Sequence, residues 1–538
     1  MGCLAGLLLL SACSSEENMA DTGNKIDVAK GIRFQFTEET FVPGEVAAAK
    51  QGTRALAEPQ EIDLGNGIIA EATLEPDTAG CAQTRAGNPV PDGTYKIYAI
   101  DAGGTRHDGL TGTMTGGVFT PSGHWELEAG TYTFVCINSA VTDNGNELYM
   151  NLNQGKMPLI GVSDPVTVTN PFDVFVSFVM RHQQARVRYQ FVSYTEPMET
   201  PTLNWLNSDV TYDVGSAYFD LKGNRLRNGG TNAGVVYSGA LHLNQPYQPS
   251  SVTKEYTYTT GYILCSPEFS TAVYYAISAT LYGRSIYSNK PTLLGILQKN
   301  HSYIWKLKFK NKDPWYLYND GTIGSLAKRG SRTPIGIVVK EKTSESDQGT
   351  ACALDVLNYT WKNVDDHIEE NISPSPTNMA EAAADMNGEN WTYNANLQGT
   401  VRSNQATTYP AFYQAARYTP GVATASSIGR WYLPSYGELI KFVQVFQKGF
   451  TPTATETVAP HYDQMSTGFE TKVQNAFTQV SKPTINGQFI ISSTQIKSSI
   501  MGNIAKPAYI NIWSGDQLYT GVCWNTMINS FILPFVHF

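Results

Sequence analysis

Four carboxylates stand close together at Asp365-Asp366 and Glu369-Glu370. Oxygen ligands in such a group could hold a hard cation such as calcium. The same spacing fits one solvated face of a helix, and that is the reading adopted. Asp143-Asn144-Gly145-Asn146-Glu147 holds part of a cation-loop pattern but lacks the full ligand series, so it reads as a turn. The histidines (His107, His124, His182, His242, His301, His367, His461 and His537) are scattered. None are paired at helical metal-ligand spacing and HExxH is absent, so no metal site is expected. There is no G-x-S-x-G elbow, no P-loop and no G-x-G-x-x-G after a strand. No nucleophile–base pair or carboxylate dyad emerges, so neither catalysis nor a cofactor is expected.

The cysteines are Cys3, Cys13, Cys81, Cys136, Cys265, Cys352 and Cys523, too sparse for a disulfide framework or a ligand set. Cys13 alone sits in a context that suggests chemistry. The apolar run Leu4 to Leu10 is too short to cross a bilayer, which takes roughly 20 residues. It fits the core of a secretory signal. The following Leu10-Ser11-Ala12-Cys13 resembles the lipobox of bacterial lipoproteins, which implies lipidation of the Cys13 thiol and a new N-terminus there. No Lys or Arg precedes the run, so the natural start is expected upstream of Met1.

The 538 residues suffice for about three domains. The net charge of −9, with no basic block, argues against nucleic acid or an anionic membrane surface as partner. Abundant Tyr, Thr, Ser, Asn and Gly suit an extracellular β-protein.

Residues 14–30 read as a flexible tether. Gly31 to Phe36 alternates apolar and polar, the mark of a half-buried strand. The small, lone-arginine stretch Val46 to Ala57 reads as a nickable loop. Strands are expected at 94–100, 125–127, 131–137, 173–178 and 187–192, split by Gly, Asn and Asp. A second β-rich block has strands at 256–264, 272–281 and 303–309. In the last of these Trp305, Leu307 and Phe309 share one face and Lys306 and Lys308 the other, as expected of a strand closing its domain. Helices follow. Ser435 and Glu438 form a capping box ahead of Leu439, Val443 and Phe446. Thr467 and Glu470 repeat that signature ahead of Val473, Phe477 and Val480. Asn378 to Met386 reads as a third helix, stopped by Gly388. Strands return at 488–491, 508–513 and 532–538. The whole reads as mainly β, two β-sandwich domains followed by an α+β C-terminal domain.

This order carries a mechanical possibility. If the loop around Arg54 were cut, strand 31–36 could leave its sheet. The groove left behind would present unpaired backbone groups and an empty apolar row, and would accept an incoming strand.

Several segments resemble the fimbrillin family of type V pili. They are Glu128-Ala129-Gly130-Thr131-Tyr132-Thr133-Phe134, Val174 to His182, Ala185-Arg186-Val187 and Lys299-Asn300-His301-Ser302-Tyr303, all after the lipobox. The resemblance covers residues 1 to about 310. It implies a lipoprotein signal (1–13), a tether with a removable N-terminal strand (14–54) and two transthyretin-like sandwiches (55–183 and 184–312). It implies export to the outer membrane, cleavage by an Arg-specific protease, and strand exchange with other fimbrillin subunits in a surface fimbrium. Arg54-Ala55 matches the processing site by position, with Arg85-Ala86 as runner-up. Ser14-Ser15-Glu16-Glu17 looks like an acidic surface-export signal.

Residues 313–538 depart from a stalk subunit. Gly429 to Leu439 looks like the W-x-L-P-[ST]-x-x-E-L motif of C-type-lectin-like domains, with Trp431 and Leu433 as anchors, Pro434 as a stop and Ser435 as a cap. No EPN, QPD or WND triplet is present, so calcium-dependent sugar binding is not expected. A large terminal domain in place of a donor strand implies a tip subunit that meets a host or bacterial glycan or protein. Two other classes compete. One is a monomeric, lipid-anchored, surface glycan-binding protein that keeps its strand. The other is an oxidase on a lectin-like scaffold, which would need Cys352 and Cys523 as a reactive pair.

Overall fold

The computed structural model describes residues 25–44, 59–79, 81, 88–151, 157–169, 174–206, 216–229, 235–240, 243, 246–265, 267, 270–288, 291–366, 368–371, 375–453, 461–498 and 504–538. Strands dominate, and the alternating segments read from the sequence form strands in all three regions.

The first region is a seven-stranded sheet in the order Ile32–Glu39, Val174–His182, Leu159–Val168, Gly130–Asn138, Gly93–Asp101, Arg106–Thr115, Val118–Ser122. It curls until its two edges meet, since Phe36 of the first strand lies 5.4 Å from Phe119 of the last, ring to ring. One face encloses Tyr95, Ile97, Phe134, Val176, Phe178 and Met180. The other packs Tyr98, Val135 and Ile137 on a four-stranded sheet that includes Ser216–Phe219 and Arg225–Asn228.

The second region pairs a seven-stranded sheet with a five-stranded one around a shared core. His301–Asn311 lies in the interior of the larger sheet, parallel to Ala185–Tyr194 on one side and antiparallel to Ile68–Pro76 on the other. It is the last strand of this region along the chain, and it lies inside the sheet and not at its edge. Trp305, Leu307 and Phe309 do share the buried face. Sheet membership cuts across the expected division at 183 and 184. Gln60–Asp63 and Ile68–Pro76 belong to the second region and Ser216–Phe219 to the first.

The third region holds a five-stranded and a six-stranded sheet with helices Tyr436–Phe446 and Phe469–Thr478. Leu439, Ile440, Phe442 and Val443 of the first helix join Ile337, Ile490, Ile510 and Leu518 in one core. The capping box is present, with Ser435 and Glu438 each bonding the other's backbone. The second helix is capped differently from expectation. Its N-cap is Gly468, at φ 82°, with no side-chain cap of its own. The backbone donors of Gly468 and Glu470 go to Asp516, 2.8 and 2.9 Å away. The expected helix at 378–386 is one turn, Met379–Ala382, capped by Asn378. Gly388 opens the next helix, Gly388–Tyr393, and does not stop the first.

Candidate functional site: a groove filled by the N-terminal segment

The segment from Lys25 to Gly44 threads along both sandwiches. Lys25–Asp27 pairs with Glu126–Glu128. Asp27 then caps a single helical turn by accepting the Ala29 amide at 3.0 Å. Ile26 and Val28 are buried there beside Trp125 and Leu127. Ile32–Glu39 follows as the edge strand, running parallel to Val174–His182 in the register Ile32 to Val174 through Glu39 to Arg181. Its other edge carries one bridge among the described residues, Glu38 to Asn88.

The strand's apolar row enters the sheet core. Phe34 stacks on Phe178 at 5.9 Å and meets Phe134 edge-on at 6.2 Å. Phe36 lies 5.4 Å from Phe178. Alternation puts Glu38 in the same inward row, a position where a carboxylate needs a partner. That partner is His182, whose Nε2 lies 2.9 Å from Glu38 Oε1. The segment then crosses to the second sandwich. Phe41 is buried between the His182 ring, stacked at 4.2 Å, and the Arg186 guanidinium at 4.5 Å.

Val42–Pro43 pairs in parallel with His301 and Ser302. The Val42 amide donates to Asn300 O at 3.0 Å and the Gly44 amide to Ser302 O at 2.9 Å. A Cβ on residue 44 would come within 2.0 Å of the Tyr303 ring, so only glycine fits. Below this crossing Asp77 is fully buried and ties Arg188, 2.7 Å away, to the Ser302 hydroxyl at 3.0 Å. Burial raises the Cys81 thiol above its ordinary range beside this network.

Nothing here arranges acid–base or nucleophilic chemistry. What the arrangement offers is a long slot whose apolar row is supplied by the N-terminal segment. Burying Ile26, Val28, Ile32, Phe34, Phe36 and Phe41 is worth on the order of 10 kcal/mol in all. Glu38, Phe41 and Asp77 are absent from the residues expected at a site. The legible signal was Glu38 itself, an acid in phase with an apolar row. The expected lipidation residue Cys13 and processing residues Arg54 and Ala55 lie outside the described residues, as do Arg85 and Ala86.

The acidic group in the C-terminal region is no solvated helix face. Its residues are in no helix, and Glu370 is buried. Glu370 accepts from Lys362 at 2.7 Å, Tyr409 at 2.9 Å and Arg402 at 3.3 Å. Lys362 also bonds Asp366, and Lys497 bonds Glu369 at 2.6 Å. Cations of the chain thus occupy the places that a metal would take. Burial pulls Lys362 down, but its bonds to Asp366 and Glu370 carry it above its ordinary value. Burial holds Arg402 below its own.

The Trp431 to Leu439 stretch is structural. Trp431 and Leu433 are buried, and the Ser435 hydroxyl donates to Asp385 O at 2.7 Å. A Cβ on Gly388 would stand 2.3 Å from Glu438 Oε2. Cys352 and Cys523 are both buried, in separate core clusters, and burial pushes both thiols up. They do not form a reactive pair.

No protein-family model and no curated relative matches the chain. Among solved structures, it is similar to a fimbrial protein from Bacteroides ovatus at 11% identity and a TM-score of 0.28, over 94% of this chain and 99% of that one. The fimbrial anchor protein Mfa2 from Porphyromonas gingivalis matches 48% of this chain and 93% of its own, at 14% identity and a TM-score of 0.21. A fimbrial assembly protein from Parabacteroides distasonis matches 41% and 88%, at 14% identity and a TM-score of 0.22.

Proposed function

We propose that the chain is a fimbrial subunit, and specifically a tip subunit that receives a strand from a neighbouring subunit. The observation that carries this reading is the seat of Ile32–Glu39. It is an edge strand, paired in parallel, whose aromatic row packs into the sheet core. The sequence after Gly44 leads directly into the stretch holding Arg54 and Ala55, the proposed processing site. Cleavage there would free the filling segment together with the anchor at Cys13, which in this reading carries the precursor to the outer membrane. The exposed backbone edge of Val174–His182 would then pair with an incoming strand. The C-terminal region, whose strand Phe535–His537 is committed to its own sheet, would face the ligand.

The test is to nick the purified chain with a trypsin-like protease, verify the cut after Arg54 by N-terminal sequencing, and add a synthetic strand peptide from a stalk subunit. Stoichiometric capture is expected. Clean cleavage without capture would sink strand exchange. Material from cells that begins at lipidated Cys13 would favour the monomeric glycan-binding lipoprotein.

A further inference from the structure

Alternation alone does not fix where a strand sits beside Val174–His182. A slip of one residue turns the whole apolar row outward, so the phase of the strand is well determined. A slip of two residues keeps the phase, and the backbone pairs as before. Some other feature must distinguish the observed register, Ile32 to Val174 through Glu39 to Arg181, from those two residues away.

The end of the strand supplies one. His182 is 3% exposed, and its Nε2 lies 2.9 Å from Glu38 Oε1. Its Nδ1 has no partner among the described residues, so the ring's polar contact is Glu38. Phe41 stacks on the same ring at 4.2 Å and meets the Arg186 guanidinium at 4.5 Å. On the outward row, Arg181 Nε bonds Glu39 Oε2 at 2.5 Å. Basic residues of one stretch, Arg181, His182 and Arg186, thus meet two consecutive acids and an aromatic ring. Ile32, Phe34 and Phe36 meet apolar residues instead. A two-residue slip would put Phe36 or Thr40 at the place of Glu38. In either case the buried imidazole would lose its carboxylate.

We propose that His182 sets the register and the choice of the strand that occupies this groove. The neighbouring subunit's strand then carries two inward aromatic residues at alternate positions and an acidic residue two positions after the second. A further aromatic residue follows three positions on, as Phe34, Phe36, Glu38 and Phe41 do here. The proposal rests on the strand-exchange reading and adds the chemistry of the strand exchanged. It uses a buried polar contact in the role that such groups fill best, the fixing of register.

The experiment takes the full chain nicked after Arg54 and a fluorescein-labelled peptide with the sequence of residues 25–44. Two further peptides carry Glu38→Leu and Glu39→Gln, and fluorescence anisotropy measures capture. The parent peptide should be captured, and Glu38→Leu should bind about tenfold more weakly or worse. Glu39→Gln should stay within about twofold of the parent, because its partner Arg181 is 59% exposed. On a His182→Leu chain the penalty for Glu38→Leu should vanish. If that variant does not fold, the three peptides on the unaltered chain decide alone. Equal capture of the parent and Glu38→Leu peptides would overturn the role of His182 and leave strand exchange standing. So would an equal loss from Glu39→Gln, which would mean that net charge alone is read. A penalty that persists on the His182→Leu chain would overturn it too. Capture of no peptide would overturn both this inference and strand exchange.

Discussion

Glu38 and His182 form a contact of 2.9 Å between Oε1 and Nε2, with the two side chains 17% and 4% exposed. It fastens the last inward position of the N-terminal strand to the strand beneath it. His182 Nδ1 has no partner, so Glu38 supplies the hydrogen bond that the ring makes. Glu38→Ala therefore leaves a buried imidazole unpaired, which costs about 1–3 kcal/mol. Phe34→Ala and Phe36→Ala should cost about 2–4 kcal/mol each, since both rings are partly buried. Arg33→Ala, on the outward row, should cost under about 1 kcal/mol. Hydrogen exchange of the 32–39 amides is the measurement. The first three variants should speed it selectively, and Arg33→Ala should not.

Asp516 and Thr467 offer a matched pair of variants for the helix Phe469–Thr478. Asp516→Ala removes the acceptor for the N-cap amide and one first-turn amide and should cost about 1–2 kcal/mol. Thr467→Ala should change the melting temperature by less than the error of the measurement, although the sequence pattern marks it as the cap. Equal losses from both would refute this assignment.

The cluster around Glu370 is a buried ion pair with few polar alternatives. Glu370→Gln leaves Arg402, only 1% exposed, without a counter-charge. Truncating one partner of such a pair costs about 3–5 kcal/mol. Denaturant melts should show that loss, and added calcium should not restore it, because Lys362 and Arg402 fill the positions a cation would need.

Glu438 gives the C-terminal region a pH dependence. Burial raises its carboxyl from 4.5 to about 7, against the pull of its bonds to Tyr432 and Ser435. The folded state therefore holds this proton more tightly than the unfolded chain. The resulting stability is fully present below about pH 4.5 and is lost as pH rises through about 7, a change of about 3 kcal/mol. Glu438→Gln removes the titration. The stability difference between variant and wild type should thus shift in the variant's favour between pH 4.5 and 8. A difference that stays flat across this range would contradict the buried-carboxyl reading.

Much of the strand content was legible because half-buried strands alternate, as 94–100, 131–137 and 303–309 do. The Ser435 cap was legible because both partners are three residues apart. What stayed hidden depends on distance along the chain. Asp516 caps a helix 48 residues earlier, which no local pattern can announce. Ile68–Pro76 pairs with His301–Asn311 across more than two hundred residues, so no local pattern announces its place in the second region. The carboxylates at 365–370 read as solvated because two of their cations, Arg402 and Lys497, lie far along the sequence. The groove was foreseen as a strand and a loop, but not its polar lock, since Glu38 acquires its meaning only once His182 is beside it.

The interleaving of the first two regions sets an order of assembly. The first sandwich lacks part of its smaller sheet until residues 216–228 have been made, and the second lacks its central strand until residue 311. Neither can close behind the advancing chain as an independent module would. Such long-range pairing folds slowly, because distant segments must meet before any contact rewards them. The two sandwiches therefore mature together, and a fragment ending anywhere between residues 184 and 300 should expose unpaired sheet edges and aggregate.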